Sequence, residues 1–202
     1  MIEAAPRKLV LASASPFRRK MLEAAGIAFC VAPAQVDEAD VKRHLAGRVD
    51  PAGMSEALAA LKAEAVSREH PASLVIGSDQ VVALGEEIFD KPVDLAAARA
   101  QLQRLRGQTH QLVTAVALAM DGRVVWRTVD KASLTMRPFS DPFLEGYLAE
   151  CGSRLCQIAG AYEIEGRGIQ LFDRVEGDHF TIVGLPLLPL LAELRARGVV
   201  AG

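Results

Sequence analysis

The run SLVIGSDQVVAL, residues 73–84, constrains the fold more than any other stretch of this chain. It is apolar and rich in β-branched residues, the pattern of a strand buried on both faces, and such strands belong to sheets covered by helices. Asp79 and Gln80 interrupt that pattern. An unpaired carboxylate in an apolar strand costs several kcal/mol, so a cation or a donor must meet Asp79. Lys62 lies on the helical stretch before the strand, Lys91 follows in FDKP, and Asp37 and Glu38 after CVAPAQV, itself read as a strand, add further carboxylates. Asp79 can thus be a structural ion-pair partner or a metal ligand.

The remaining pattern alternates strands with helices. KLVLAS (8–13) reads as the first strand, and Ser15, Pro16 and Gly26 suit the cap, first turn and end of a helix from about 16 to 25. PAGMSEALAALKAEAVSREH (51–70) and DLAAARAQLQRLRG (94–107) carry apolar residues at helical spacing, with Asp94 placed to cap and Gly107 to terminate. THQLVTAVALAM and RVVWRTVDKASLTM flank Asp121–Gly122, a favoured hairpin dipeptide. DPFLEGYLAECG reads as a helix, a second hairpin is expected to turn near Glu176–Gly177, and PLLPLLAELRARG as a helix beginning at Pro186. No linker, repeat or low-complexity tract divides the chain. The expectation is one α/β domain over residues 1–202, with a mixed sheet, two lobes and a central cleft.

Composition excludes several function classes. Half of the 202 residues are hydrophobic and 24% are charged, the balance of a globular chain that can bury a sizeable core. The formal charge of -2 lacks the basic surplus that coating a nucleic acid demands, so any anion site must be local. The opening MIEAAPRKLVLASAS is too short and too early in charge for a leader, and no apolar run reaches membrane-span length. A cytoplasmic protein without nucleic-acid or membrane partners is expected, with a homodimer left open. Cys30, Cys151 and Cys156 lack zinc-type spacing and read as small buried thiols; His44, His70, His110 and His179 lack ligand-like spacing and read as surface or core residues.

The segment LASASPFRRKML (11–22) answers the demand for a local anion site. A strand that runs into Ser13-x-Ser15-Pro16 and then a helix aims backbone N–H groups from the positive end of a helix dipole. The serine hydroxyls and Arg18 add directional donors, and a guanidinium matches phosphate oxygens two at a time. The same pattern also begins ordinary surface helices. Beside such a cradle, carboxylates suit Mg²⁺, a hard ion that bridges protein oxygens to substrate phosphates, with Mn²⁺ an alternative.

Together LASASPFRR, VDE, LAALKAEA, IGSDQVV, DKP, AGAYEIEGRG and IVGLP resemble the Maf family of nucleoside triphosphate pyrophosphatases, in family order along nearly the whole chain. The resemblance implies a two-lobed α/β fold similar to that of inosine triphosphate pyrophosphatases, and hydrolysis of a nucleotide to its monophosphate and pyrophosphate. It places the catalytic aspartate, in the family the general base for water, on Asp79, where holding the metal or doing both stays open, phosphate binding on Ser13 and Arg18, and the two family lysines on Lys62 and Lys91. Glu38 matches the acidic residue of VDE, and Glu38 with Asp79 would hold the divalent metal.

Three positions linked to specificity in that family fall on Phe17, Gln80 and Glu165. The branch that hydrolyses dTTP and UTP usually carries arginine, threonine and glutamine there, whereas an aromatic, glutamine and glutamate resemble the branch that acts on 7-methyl-GTP. The chemistry agrees, because a glutamate can accept from the N1–H and exocyclic amine of guanine and would repel the carbonyls of uracil. Phe17 either packs in the core or stacks on the base, where a positively charged 7-methylguanine would add a cation–π contribution of roughly 1–3 kcal/mol. The runner-up readings are a dTTP/UTP pyrophosphatase of the same family and a non-catalytic nucleotide sensor linked to cell division. A nucleotidyltransferase would need an acceptor site that no motif supplies.

Overall fold

The structure is a computed structural model that describes residues 8–201. MIEAAPR, the part of the opening segment read above for a leader, and Gly202 lie outside the described residues. Strands β1 (Leu9–Leu11), β2 (Cys30–Val31), β3 (Leu74–Leu84), β4 (Glu87–Phe89), β5 (Thr109–Met120), β6 (Arg123–Met136) and β7 (Phe172–Glu176) form one sheet. Its order is β2-β1-β3-β5-β6-β7, with β4 paired to β3. β1 pairs parallel with β2 and β3, whereas β3–β4 and β6–β7 are antiparallel, so the sheet is mixed, as expected.

The chain divides into two compact units. The first holds the described residues through Gln80, Thr114–Asp130, and those from His179 onward; the second holds Val81–Val113 and Lys131–Asp178. In the first unit, alternate residues of each strand feed separate apolar clusters. Leu9, Leu11, Leu74, Ile76, Val116 and Leu118 meet Leu22 of helix α1 (Pro16–Ala24) and Leu187, Leu190 and Leu194 of helix α7 (Leu187–Ala196). Residues of opposite parity face the other way: Val10 and Val75 meet Val66, and Ala115, Ala117 and Ala119 meet Ala59 and Ala63, all from helix α3 (Pro51–Glu69). A strand with two apolar faces needs cover on both, which is why 73–84 reads as a nearly unbroken apolar run.

Local signals hold where the sequence carries them. Ser15 caps α1 by accepting from Arg18 N, Asp50 caps α3, and Asp94 caps helix α4 (Leu95–Leu105). Asp121 and Gly122 adopt φ of 51° and 78°, the left-handed pair that a two-residue hairpin turn requires. Helix α5 (Asp141–Cys151) starts from Ser140, and Pro186 sits at the cap of α7 rather than at its first helical position.

Other expectations need correcting. No hairpin turns at Glu176–Gly177: β7 ends there and pairs back on β6, and the chain enters helix α6 (His179–Val183). Gly177 serves a close approach instead, since a Cβ on it would lie 2.6 Å from the Ala132 side chain. The expected strand at CVAPAQV shrinks to Cys30–Val31, and helix α2 (Glu38–Leu45), which has no buried residue, follows it. The thiols are not buried either: Cys30 is exposed on β2 at the sheet edge, and Cys151 and Cys156 are half-buried. Among the described residues no helix is long and apolar enough to cross a membrane.

The second unit contains an aromatic cluster around a buried histidine. His110 is 1% exposed, and its Nε2 lies 2.6 Å from the Tyr162 hydroxyl, with the Phe172 ring 5.9 Å away. Burial lowers its pKa from 6.5 to about 4. Because the folded value lies below the unfolded one, this neutral histidine contributes stability that is whole above pH 6.5 and is lost as pH falls from there toward 4. At 1.36 kcal/mol per unit the loss reaches about 3 kcal/mol near pH 4. Thermal midpoints followed from pH 7 to 5 should fall for the natural chain more steeply than for His110→Phe; parallel slopes would mean that His110 does not drive the acid sensitivity.

Candidate active site

The first unit holds seven of the nine expected site residues: Ser13, Phe17, Arg18, Glu38, Lys62, Asp79 and Gln80. Asp79 is 7% exposed in the middle of β3, and Lys62, 8% exposed on α3, donates from Nζ to its Oδ1 at 2.7 Å. The same Nζ lies 2.9 Å from Oε1 of Glu38, the first residue of α2. One ammonium therefore bridges two carboxylates. Burial pushes the Asp79 carboxyl up from its usual range, and the positive charges of Lys62 and Arg18 oppose that rise. The cation that the apolar strand demanded is Lys62.

This ammonium reaches the strand because α3 lies unusually close to β3. A Cβ on Gly77 would stand 2.2 Å from Ala59 O and 2.6 Å from Ala63 N, so only glycine lets the helix backbone pass there. Lys62 is the residue before Ala63. The separation of Asp79 from its cation is thus set by a side chain that is missing two residues upstream.

The turn after β1 forms the other half of the arrangement. Ser13 Oγ accepts from Ser15 N and from Arg18 Nη1, both at 3.2 Å, and Arg18 Nε donates to Gly184 O at 2.7 Å. Desolvation lowers the pKa of the Arg18 guanidinium, while Asp79 and Glu38 raise it, so the cation is sustained by the two carboxylates beside Lys62. Serine, arginine and the start of α1 supply the donors expected of an anion cradle.

Phe17 is half-buried on the first turn of α1 and is absent from the buried core of this unit. Gln80 is committed internally: its Nε2 lies 2.8 Å from Thr114 Oγ1, 2.9 Å from Thr181 O and 3.2 Å from Ile182 O. Lys91, exposed after β4, and Glu165, exposed in the turn after Gly160–Ala161, belong to the second unit. That turn is conformationally unusual, since Gly160 and the fully buried Ala161 both lie at positive φ, 80° and 58°. Among the described residues no three histidine, cysteine, aspartate or glutamate side chains gather as a metal site. Glu38 and Asp79 pair as two carboxylates on one lysine, a donor set that suits a hard ion completing its shell with substrate oxygens.

Sequence reasoning missed Gly77, Ser78, Thr181 and Gly184. Ser78 is fully buried and points its hydroxyl toward Ala115 O and Gly184 O, at 2.8 and 3.2 Å. IVGLP carried Gly184 only as part of a resemblance; its φ of 116° and its carbonyl bond to Arg18 have no signature in composition.

A mixed-sheet α/β protein with buried charge in its central strand is a narrow class, and the chain belongs within it to the Maf family: the family described as Maf-like protein matches residues 8–197. The family resemblance read from the motifs is borne out. Among its relatives, a protein of Rhizobium johnstonii named 7-methyl-GTP pyrophosphatase is 50% identical over 196 residues, covering 96% of this chain and 98% of its own. A Brucella abortus protein of the same name is also 50% identical, with the same coverage. A Paramagnetospirillum magneticum protein named nucleoside triphosphate pyrophosphatase is 52% identical over 94% of this chain and 98% of its own.

Proposed function

We propose that this protein is a nucleoside triphosphate pyrophosphatase, a hydrolase of acid anhydrides, and that its substrate is 7-methyl-GTP. The observation that carries the activity is the buried Asp79 carboxylate held by Lys62 in the same unit as the Ser13–Arg18 cradle. Names of relatives at about half identity over nearly their full lengths support both the reaction and the substrate.

In this reading a water oxygen bonds to the α-phosphorus, the bond from that phosphorus to the bridging oxygen breaks, and the pyrophosphate leaves with the electron pair. Asp79 takes the water proton, a role that suits a carboxylate whose burial raises its basicity. Arg18 and Ser13 hold phosphate oxygens, and Lys62 bridges the carboxylates of Asp79 and Glu38 and orients them. Lys91 is assigned to the phosphates by the family resemblance. Glu38 and Asp79 would hold Mg²⁺ or Mn²⁺, which when bound neutralises charge on phosphate oxygens. A nucleotide sensor would have no use for a buried, cation-held carboxylate beside its cradle, and this favours the enzyme.

Base choice rests on the chemistry of Glu165, Gln80 and Phe17. The family resemblance assigns base choice to these positions, where a glutamate can accept from both donors on the guanine edge and an aromatic ring favours a cationic 7-methylguanine. The dTTP/UTP alternative predicts the opposite preference. Glu165→Gln keeps the size and swaps one acceptor for a donor. It should lower kcat/KM for 7-methyl-GTP by roughly tenfold or more and raise it for dTTP, because a mismatched polar edge leaves groups unpaired. Steady-state pyrophosphate release from both substrates measures this, and an equal effect on both would remove Glu165 from base recognition.

A further inference from the structure

The Arg18 guanidinium is aimed by a carbonyl that belongs to another part of the chain. A guanidinium has five N–H groups; the bonds from Nε to Gly184 O at 2.7 Å and from Nη1 to Ser13 Oγ at 3.2 Å use two, leaving three for an anion. Gly184 O also lies 3.2 Å from the hydroxyl of Ser78, the residue before Asp79. The same carbonyl thus ties the arginine to the strand that carries the buried carboxylate.

Gly184 is itself held from behind. Its N–H donates to Phe180 O and Thr181 O, at 3.0 and 3.1 Å, at the end of α6. Thr181 is fully buried, so its side chain cannot touch a substrate. Its carbonyl accepts from Gln80 Nε2 at 2.9 Å and Thr114 Oγ1 at 3.0 Å, and its hydroxyl donates to Asp130 Oδ2 at 2.6 Å. Three strands, β3, β5 and β6, therefore anchor Thr181, one of the two residues whose carbonyls accept from Gly184 N.

We propose that Thr181 is a positioning residue for the anion cradle: by tying the end of α6 to β5 and β6 it fixes Gly184 O, and through that carbonyl the plane of the Arg18 guanidinium. This rests on the reading of Arg18 as a phosphate-binding group. Loosening the anchor leaves the guanidinium charge in place and lets its plane wander, so two-point recognition of phosphate is lost before the attraction is. Ser78 approaches the same carbonyl from β3 and should act in the same way.

The test is a double-mutant cycle read by calorimetric titration of inorganic triphosphate into the full chain, with kcat and KM for pyrophosphate release measured beside it. Thr181→Val, which keeps the shape and removes the hydroxyl donor, should weaken triphosphate binding about tenfold, the size of one buried charge-assisted hydrogen bond. Thr181→Ser keeps the donor and should restore binding. In an Arg18→Ala background Thr181→Val should add nothing, because its effect passes through that side chain. Ser78→Ala should show the same dependence, and it decides the matter if Thr181→Val fails to fold. Unchanged binding in Thr181→Val, or losses that add in the cycle, would overturn the positioning role while leaving the cradle standing. Absence of triphosphate binding in the natural protein, or normal binding by Arg18→Ala, would overturn the cradle and the positioning role with it.

Discussion

Asp79→Asn should lower kcat for pyrophosphate release by about a thousandfold, within the range that removal of a positioned base produces. The thermal midpoint should move by only a few degrees. Asparagine has the shape of aspartate, and the lost charge was one that burial already disfavoured. Lys62 keeps Glu38 at 2.9 Å as an ionic partner, so the substitution leaves no uncompensated ammonium. Turnover and thermal midpoint must be measured together. A variant that turns over near the natural rate would take Asp79 out of the chemistry, and one that unfolds would make the Lys62–Asp79 pair structural.

The largest stability effect is expected at a residue that touches no ligand. Gly77→Ala should destabilise the fold by about 3 kcal/mol or more, because its Cβ would need to share space with Ala59 O at 2.2 Å and with Ala63 N at 2.6 Å. Both are backbone atoms of α3, which cannot rotate aside as a long side chain could. For a chain of this size the thermal midpoint should fall by roughly 6–12 °C. Any relief must come from moving α3 away from β3, which would lengthen the Lys62–Asp79 separation of 2.7 Å. The folded fraction of Gly77→Ala should therefore also lose turnover. A stable variant with natural kcat would show that the site tolerates displacement of that helix.

Much of the architecture is legible from local chemistry. Ser15-Pro16, Asp94 and Asp121–Gly122 act through their own neighbours, so caps and turn can be read without the rest of the molecule. Strand β3 is legible because two buried faces leave an apolar run, and Asp79 stands out against it. Elements that failed to show depend on distant partners or lack an apolar face. Helix α2 buries no residue, so no run of core-facing positions marks it. Gly177 looks like a hairpin glycine in sequence, but what requires it is the nearby Ala132. The short 3₁₀ turns over Gly152–Gln157 and Arg167–Leu171 fall in a stretch without helical spacing. In the site, charged groups were visible and their supports were not. Lys62 and Arg18 stand out because a buried strand and a helix start make charge conspicuous, whereas Gly184 acts through a carbonyl that every residue possesses. Gln80 was conspicuous for the same reason as Asp79, yet its amide nitrogen is spent on Thr114 and the end of α6.

Cleavage of a methylated guanine nucleotide between its α- and β-phosphates is the reaction proposed for this protein. The most direct measurement is pyrophosphate release by the purified natural chain, with Mg²⁺ and no added acceptor, across 7-methyl-GTP, GTP, dTTP and UTP. The expected products are the monophosphate and pyrophosphate, with the highest kcat/KM for 7-methyl-GTP. A higher value for dTTP or UTP than for either guanine nucleotide would contradict the substrate, and absence of pyrophosphate from all four would contradict the reaction.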